Sequence, residues 1–358
     1  MRVGPILVYC AFRRIPSKGL MMNKHATTKY LMAGVLLAVS VSGCATAPPG
    51  APSSAMTAQA ASVVVRDGDE WLVFQGAQDC GLTGMDPSSI CLMSPDGSGR
   101  HKLVDQDGEL LHPDWSPDGT RIAFSTGQEI WTAAVDGSEV TKVAECSSFP
   151  GCNGVDYPAW SPDGTTMALT IYNGRNLPMG PPSTSAIALV DLESGEAKTI
   201  AQTEPLELVD QARWSHDGTR LAVQVEHFDA TGKEIGGAIG IVPAVGGVPK
   251  AITDFSLFAT YPDWDPECDR IVFTTNEFNP AGGPVDLYLV GADGTDLAPL
   301  IYDGSDAQQS KQPSWTPDGK GVLFVQWQAR SVTYVNADGS GVRKFGGLGT
   351  HPRLRPVG

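Results

Sequence analysis

The chain has 358 residues, with 25 basic and 40 acidic side chains and a formal net charge of −15 at pH 7. The six basic residues before Cys44 have no acid among them, so the remainder carries 19 basic against 40 acidic groups, a net charge of −21. That balance argues against nucleic acid or an anionic membrane face as a partner, because phosphate binding rests on Lys and Arg. The plainer reading is that acidity keeps an exported protein soluble.

The first element is an export signal. "MNKHATTKYLMAGVLLAVSVSGC", Met22 to Cys44, has a basic head with Lys24 and Lys29, an apolar run from Leu31 to Val41, and small residues before a cysteine. The run is too short for a transmembrane span of about 20 residues. "VSGC" resembles the bacterial lipobox, and that resemblance implies a diacylglyceryl group on Cys44 with cleavage before it. An ordinary signal or membrane anchor with a chance cysteine is the alternative. Residues 1–20 lie upstream of the basic head, and Met21 or Met22 is the expected start. Residues 1–43 thus form the signal peptide, and residues 44–61, rich in Ala, Pro and Ser, form a flexible tether that cannot bury enough apolar surface to fold.

Residues 62–358 are one domain of internal repeats. "HPDWSPDG" at Trp115 returns as "YPAWSPDG" at Trp160, "QARWSHDG" at Trp214, "YPDWDPEC" at Trp264 and "QPSWTPDG" at Trp315, with an echo "HPRLRPVG" around Leu354, at intervals of 45, 54, 50, 51 and 39 residues. A period of that size signals blades or solenoid units. Each copy continues with a buried-type apolar run such as "RIAFS" or "RLAVQ", then a strand, a Gly-containing turn and another strand, as in "IWTAAVDGSEVTKV". One repeat is therefore four short antiparallel strands. Such repeats close into a β-propeller, which buries both faces of every sheet and leaves only short edges. The tryptophan is expected to pack between blades.

Ahead of the first tryptophan, Val63 to Gly76 and Ile90 to Leu103 supply three further strands and turns, a sixth unit without an anchor. The tail at His351 to Pro356 has the anchor pattern and no strand after it. The expected fold is all-β, a six-bladed propeller of four-stranded blades, with the C-terminal strand as the inner strand of the first blade.

"PDWSPDGTRIAF…IWTAAVDG" resembles the repeat of the TolB-type, or WD40-like, propellers, over about residues 62 to 356. The resemblance implies the fold strongly and function weakly, since the same repeat builds periplasmic scaffolds, propellers of prolyl-oligopeptidase-like enzymes and some oligosaccharide lyases. Only the tether precedes the first blade, so the N-terminal domain of TolB is not expected here, which puts a Tol-system role in doubt.

Of seven cysteines, Cys10 falls before the expected start and Cys44 is the lipid site. Cys80 and Cys91 flank an insertion in the first blade and Cys146 and Cys152 a short loop, so each pair is expected as a disulfide in an oxidising compartment. Cys268 is left over. The spacings do not suit a zinc site.

The chain has no GxSxG elbow, P-loop, HExxH or GxGxxG before a helix, so no catalytic residue, cofactor or metal is assigned. Attention falls on the channel mouth where the inner strands begin. Three residues before each anchor stand His351, His112, Tyr157, Gln211, Tyr261 and Gln312; one residue before it stand Arg353, Asp114, Ala159, Arg213, Asp263 and Ser314. In a six-bladed ring Arg353 opposes Arg213 and Asp114 opposes Asp263. The functional reading is a polar, aromatic-rimmed site for a peptide, a partner loop or a glycan, formed by His112, Asp114, Tyr157, Arg213, Tyr261, Asp263, Gln312, His351 and Arg353. The plainer alternative is solvated turn positions whose Asp and Arg pair weakly. A metal held by His112 and His351 lacks a third ligand.

The sequence thus reads as a monomeric, lipid-anchored, extracytoplasmic propeller of the bacterial envelope that binds an envelope protein, a peptide or a glycan. The rivals are a carbohydrate-active lyase or hydrolase at the channel mouth and a purely structural envelope component.

Overall fold

A computed structural model of the protein describes residues 57–58, 69–77, 80, 88–105, 108–174, 184–276, 282–301, 309–329, 331–344, 347 and 349–356. The signal segment, Cys44, most of the tether and Cys10 lie outside the described residues. Six sheets of four antiparallel strands form the ring, and a further short pairing joins Thr57–Ala58 to Val104–Asp105.

The first blade is built from both ends of the domain. Its inner strand is Thr350–Leu354, hydrogen-bonded to Leu72–Ala77, which pairs with Ser88–Met93 and then His101–Lys102. The register sets Leu354 against Leu72 and Arg353 against Val73, so the C-terminal tail closes the ring as its anchor pattern predicts. The other blades follow in chain order, with inner strands Leu111–Trp115, Cys152–Trp160, Glu207–Trp214, Thr260–Trp264 and Ser310–Trp315.

The second strand of each blade explains the unbroken apolar runs. Ile122, Ala123 and Phe124 are all buried, as are Leu221, Ala222 and Val223, and Ile271, Val272 and Phe273. Alternate side chains of a strand point to opposite faces, and both faces of a blade pack against a neighbouring blade. The core is therefore a series of wedges between blades. Trp115 fills one of them with Trp71, Leu92 and Phe124, and Trp264 fills another with Ile239 and Phe273. The indole N–H groups add directional ties across the wedge: Trp115 Nε1 donates to the Arg353 carbonyl at 3.1 Å and Trp214 Nε1 to the Ala159 carbonyl at 3.1 Å. Arg220, Arg270 and Arg355 lie over the rings of Trp264, Trp315 and Trp115 of the following blade.

The turn after each tryptophan is closed by its own aspartate. Asp118 Oδ1 accepts from the Ser116 hydroxyl at 2.6 Å and from the Thr120 amide at 3.0 Å. The same pair of bonds recurs at Asp163, Asp217 and Asp318. Gly119 completes the turn at φ +65°, and a Cβ there would lie 2.3 Å from the Pro356 carbonyl oxygen, so glycine is required twice over. The fifth blade replaces the motif: in "WDPEC" Asp265 itself accepts the Glu267 and Cys268 amides and pairs with Arg270 at 2.5 Å.

Both expected disulfides are present, Cys80 to Cys91 with Cα atoms 5.8 Å apart and Cys146 to Cys152 at 5.4 Å. Cys268, left over in the sequence reading, is itself disulfide-bonded.

Candidate functional site

The channel axis is built by the inner strands, and its two ends differ. Where the inner strands begin, His112, Tyr157, Gln211, Tyr261, Gln312 and His351 all have left-handed backbone, with φ between 48° and 54° given by 49°, 51°, 53°, 53°, 53° and 50° in that order. Each coincides with a break in the ladder to the second strand, for example between Asp156 and Ala159 and between Asp210 and Arg213. An extra residue in the inner strand makes a bulge, which re-aims the side chain. The residue after the bulge is proline in five of the six, where no ladder N–H is needed.

Left-handed non-glycine residues cost about 1–2 kcal/mol each, and the neighbouring blade holds them in place. The His112 amide donates to Gln75 Oε1 at 3.3 Å, the Tyr261 amide to Gln211 Oε1 at 3.1 Å and the His351 amide to Gln312 Oε1 at 3.2 Å. Thr170 and Thr274 hydroxyls accept in the same way from Gln211 and Gln312. The ring side chains meet on the axis. His112 stacks on Tyr157 with centroids 3.9 Å apart and meets His351 edge-on at 4.4 Å, and Tyr261 lies 5.7 Å from His351.

This end is therefore nearly filled: Gln211 is buried and the other five ring residues are half-buried. What remains is a void of 20 Å³ beside Tyr157, Gln211, Tyr261, Gln312 and His351, room for about one water. Both ring nitrogens of His351 are buried without a hydrogen-bond partner among the described residues. Burial, together with His112 and the two arginines, holds its pKa well below the usual value, so the ring is neutral. His112 Nδ1 pairs with Asp156 Oδ1 at 2.7 Å.

Below this layer the four charged positions come together. Arg353 Nε lies 3.2 Å from Asp114 Oδ1 and its Nη2 3.1 Å from Asp263 Oδ1; Arg213 reaches the same two carboxylates at 3.7 and 4.0 Å. Opposed like charges thus become an alternating square. Asp114, Arg213 and Asp263 are buried, and the carboxylates' other oxygens accept the Trp160 and Trp315 amides. Burial and the nearby Arg353 charge lower the Arg213 pKa to about 10. In Arg353 burial acts the same way but Asp263 and Asp114 outweigh it, and its pKa is raised.

The square is also the floor of a second, larger opening at the end where the inner strands finish. A funnel of about 320 Å³ is walled by the anchor tryptophans and by the residue two positions after each anchor, Pro117, Pro162, His216, Pro266, Pro317 and Pro356. Of the nine sequence-assigned binding residues, Asp114, Arg213, Asp263 and Arg353 line this funnel, while Tyr157, Tyr261, Gln312 and His351 border the small void and His112 stacks beside it. The funnel wall was overlooked because proline at a turn reads as backbone punctuation. Its signal was nevertheless present as proline at the same position in five repeats.

A cluster of carboxyl groups on the fourth blade, bordered by Tyr172 of the third, was also missed. Asp210 Oδ2 accepts the Tyr172 hydroxyl at 3.0 Å, while Asp210 Oδ1 and Glu234 Oε1 are buried without partners among the described residues. Burial and mutual repulsion raise the Asp210 pKa well above normal, with Glu226 pushed up to about 7 and Glu234 to about 8.

No protein-family model and no curated protein matches the sequence. Solved structures do. TolB from Acinetobacter baumannii superposes with a TM-score of 0.58 at 18% identity, covering 80% of this chain and 66% of that one. A chain assigned as TolB from Agrobacterium tumefaciens gives 0.55 at 17% identity, over 80% and 97% of the two chains. A chain of a nidogen/laminin complex gives 0.56 at 10% identity, over 80% and 98%. This chain spans just under two thirds of the A. baumannii protein's length. In fold, the chain is a TolB-like six-bladed β-propeller.

Proposed function

We propose that the chain is a lipid-anchored, extracytoplasmic binding module of the bacterial envelope that takes a protein segment into its axial funnel. The observation that carries this reading is the funnel itself. Its 320 Å³ falls in the range of ligand sites, its wall is aromatic and proline-lined, and its floor is a rigid polar square. The two disulfides and the lipobox-like "VSGC" support an oxidising compartment outside the cytoplasm and an anchor through Cys44.

His216 is exposed on the funnel wall, so His216→Trp should fill the funnel while leaving the square intact. Partners captured by the wild-type chain from envelope extract should be lost from this variant. Capture of the same partners with unchanged affinity would overturn the reading. For the anchor, Cys44→Ser should move the protein out of the detergent phase.

A further inference from the structure

We infer that the funnel selects a basic occupant: an extended protein segment that places an Arg or Lys side chain between the prolines, with its charged head at the acidic rim. This rests on the binding reading above and names the partner's chemistry.

The rim is acidic by construction. Five of the six wall residues are followed by a carboxylate, Asp118, Asp163, Asp217, Glu267 or Asp318, and all five are exposed; Pro356 is followed by Val357. The Ser161 and Ser215 hydroxyls and the turn amides hold Asp163 and Asp217 below the usual carboxylate range. In Asp118 and Asp318 burial opposes this and the turn hydrogen bonds prevail. These groups therefore stay charged well below neutral pH. Asp318 pairs with Lys320 and Asp217 faces Arg220, whereas Oδ2 of Asp118 and of Asp163 makes no hydrogen bond among the described residues.

The floor cannot offset that charge for an anionic ligand. Arg213 and Arg353 are both committed to Asp114 and Asp263, so the square is neutral as a unit. An acidic segment would meet carboxylates at the rim and occupied guanidinium groups beneath. A basic side chain fits on both counts: its methylene stem can lie along proline rings and tryptophan edges while its head reaches the carboxylates. The rim field would also draw it in, more strongly at low salt.

The test is a titration of the full chain with penta-arginine, penta-glutamate or calcium chloride, read by intrinsic tryptophan fluorescence at low and high salt. The rim variant is Asp118→Asn, Asp163→Asn and Glu267→Gln together. The control is Asp136→Asn, Asp191→Asn and Asp293→Asn, in turns between third and fourth strands at the same end of the ring. Both sets remove three charges, and the side-chain amides keep the acceptor oxygen that Asp118, Asp163 and the three control aspartates use in their turns. We expect saturable binding of penta-arginine that weakens at least tenfold in the rim variant, less than twofold in the control, and falls with salt.

Equal losses in both sets would assign the charge effect to the whole face and overturn the inference. So would binding of penta-glutamate, or a calcium response with the same rim dependence. If His216→Trp abolishes partner capture but the rim variant does not, the funnel reading stands and the basic occupant falls. If neither has an effect, both fall.

Discussion

The two ends of the channel are made by the same repeat, seven or eight residues at a time, yet one end is full and the other open. At the end where inner strands begin, a bulge turns six side chains inward, and rings of His112, Tyr157, Tyr261 and His351 crowd the axis. At the other end the residue two places past each anchor is a short, rigid proline in five blades of six. Between these prolines and the anchor tryptophans a funnel of about 320 Å³ stays open. The repeat motif sets where the backbone turns, and the inward bulge at one end and the prolines at the other decide which end stays open.

The seam offers the largest break in this comparison, because both ends depend on ring closure. Deleting residues 351–358 removes His351 from the filled end and Arg353 from the floor, and leaves Leu72–Ala77 as an unpaired edge. The Tm should fall by more than about 10 °C with loss of a single cooperative transition. An unchanged melting curve would show that another segment closes the first blade.

Next in size is the square that separates the two ends. Arg353→Met leaves Asp263 and Asp114 with Arg213 alone, at its longer distances. Removing one member of a buried ion network costs about 3–5 kcal/mol. A urea-denaturation loss under about 1 kcal/mol would mean that the square is ornamental. Alanine at Arg353, His112, Tyr157 and Tyr261 together should give a large loss of stability for the same reason, since it removes one member of the square and three rings packed on the axis.

The carboxyls near the filled end give a pH-dependent effect. Glu226 has a folded pKa of about 7, raised above an ordinary 4.5 mainly by burial. A raised pKa means that the folded state holds the proton longer than the unfolded state. Its full stability contribution is present below about pH 4.5 and is lost as pH rises through about 7. Glu226→Gln should thus change stability little at pH 4 and raise it by about 3 kcal/mol at pH 8, relative to wild type. An equal effect at both pH values would show that charge is not the cause.

Much of the fold was legible because a repeated residue leaves a repeated spacing. Trp115 to Trp315, the turn aspartates and the tail at Leu354 each recur at fixed offsets, and four strands per repeat with a closing C-terminal strand follow from them. The site was legible as positions and illegible as environment. That His351 and Gln312 would be two of six parts of one ring could be read; that a bulge would turn them onto the axis and half-bury them could not, because φ leaves no mark on composition. The alternating square also depended on side-chain reach across the axis, since Arg353 touches Asp263 two blades away around the ring. Asp210, Glu226 and Glu234 break the repeat, so no spacing drew attention to them.

The smallest effect separates two tryptophans that look equivalent in sequence and both face the funnel. Trp214 Nε1 donates to the Ala159 carbonyl at 3.1 Å, whereas Trp160 Nε1 is buried with no partner among the described residues. Phenylalanine removes the indole N–H from either site and a similar volume of ring. At Trp214 it also leaves the Ala159 carbonyl without that bond, a net cost of about 1 kcal/mol beyond the loss of packing. At Trp160 it removes an unsatisfied donor, whose burial is itself unfavourable. Trp214→Phe should therefore destabilise more than Trp160→Phe by roughly 1–2 kcal/mol in urea denaturation. Equal losses would mean that the two indoles act only as volume, and that the wedge between the third and fourth blades is tied no better than the wedge between the second and third.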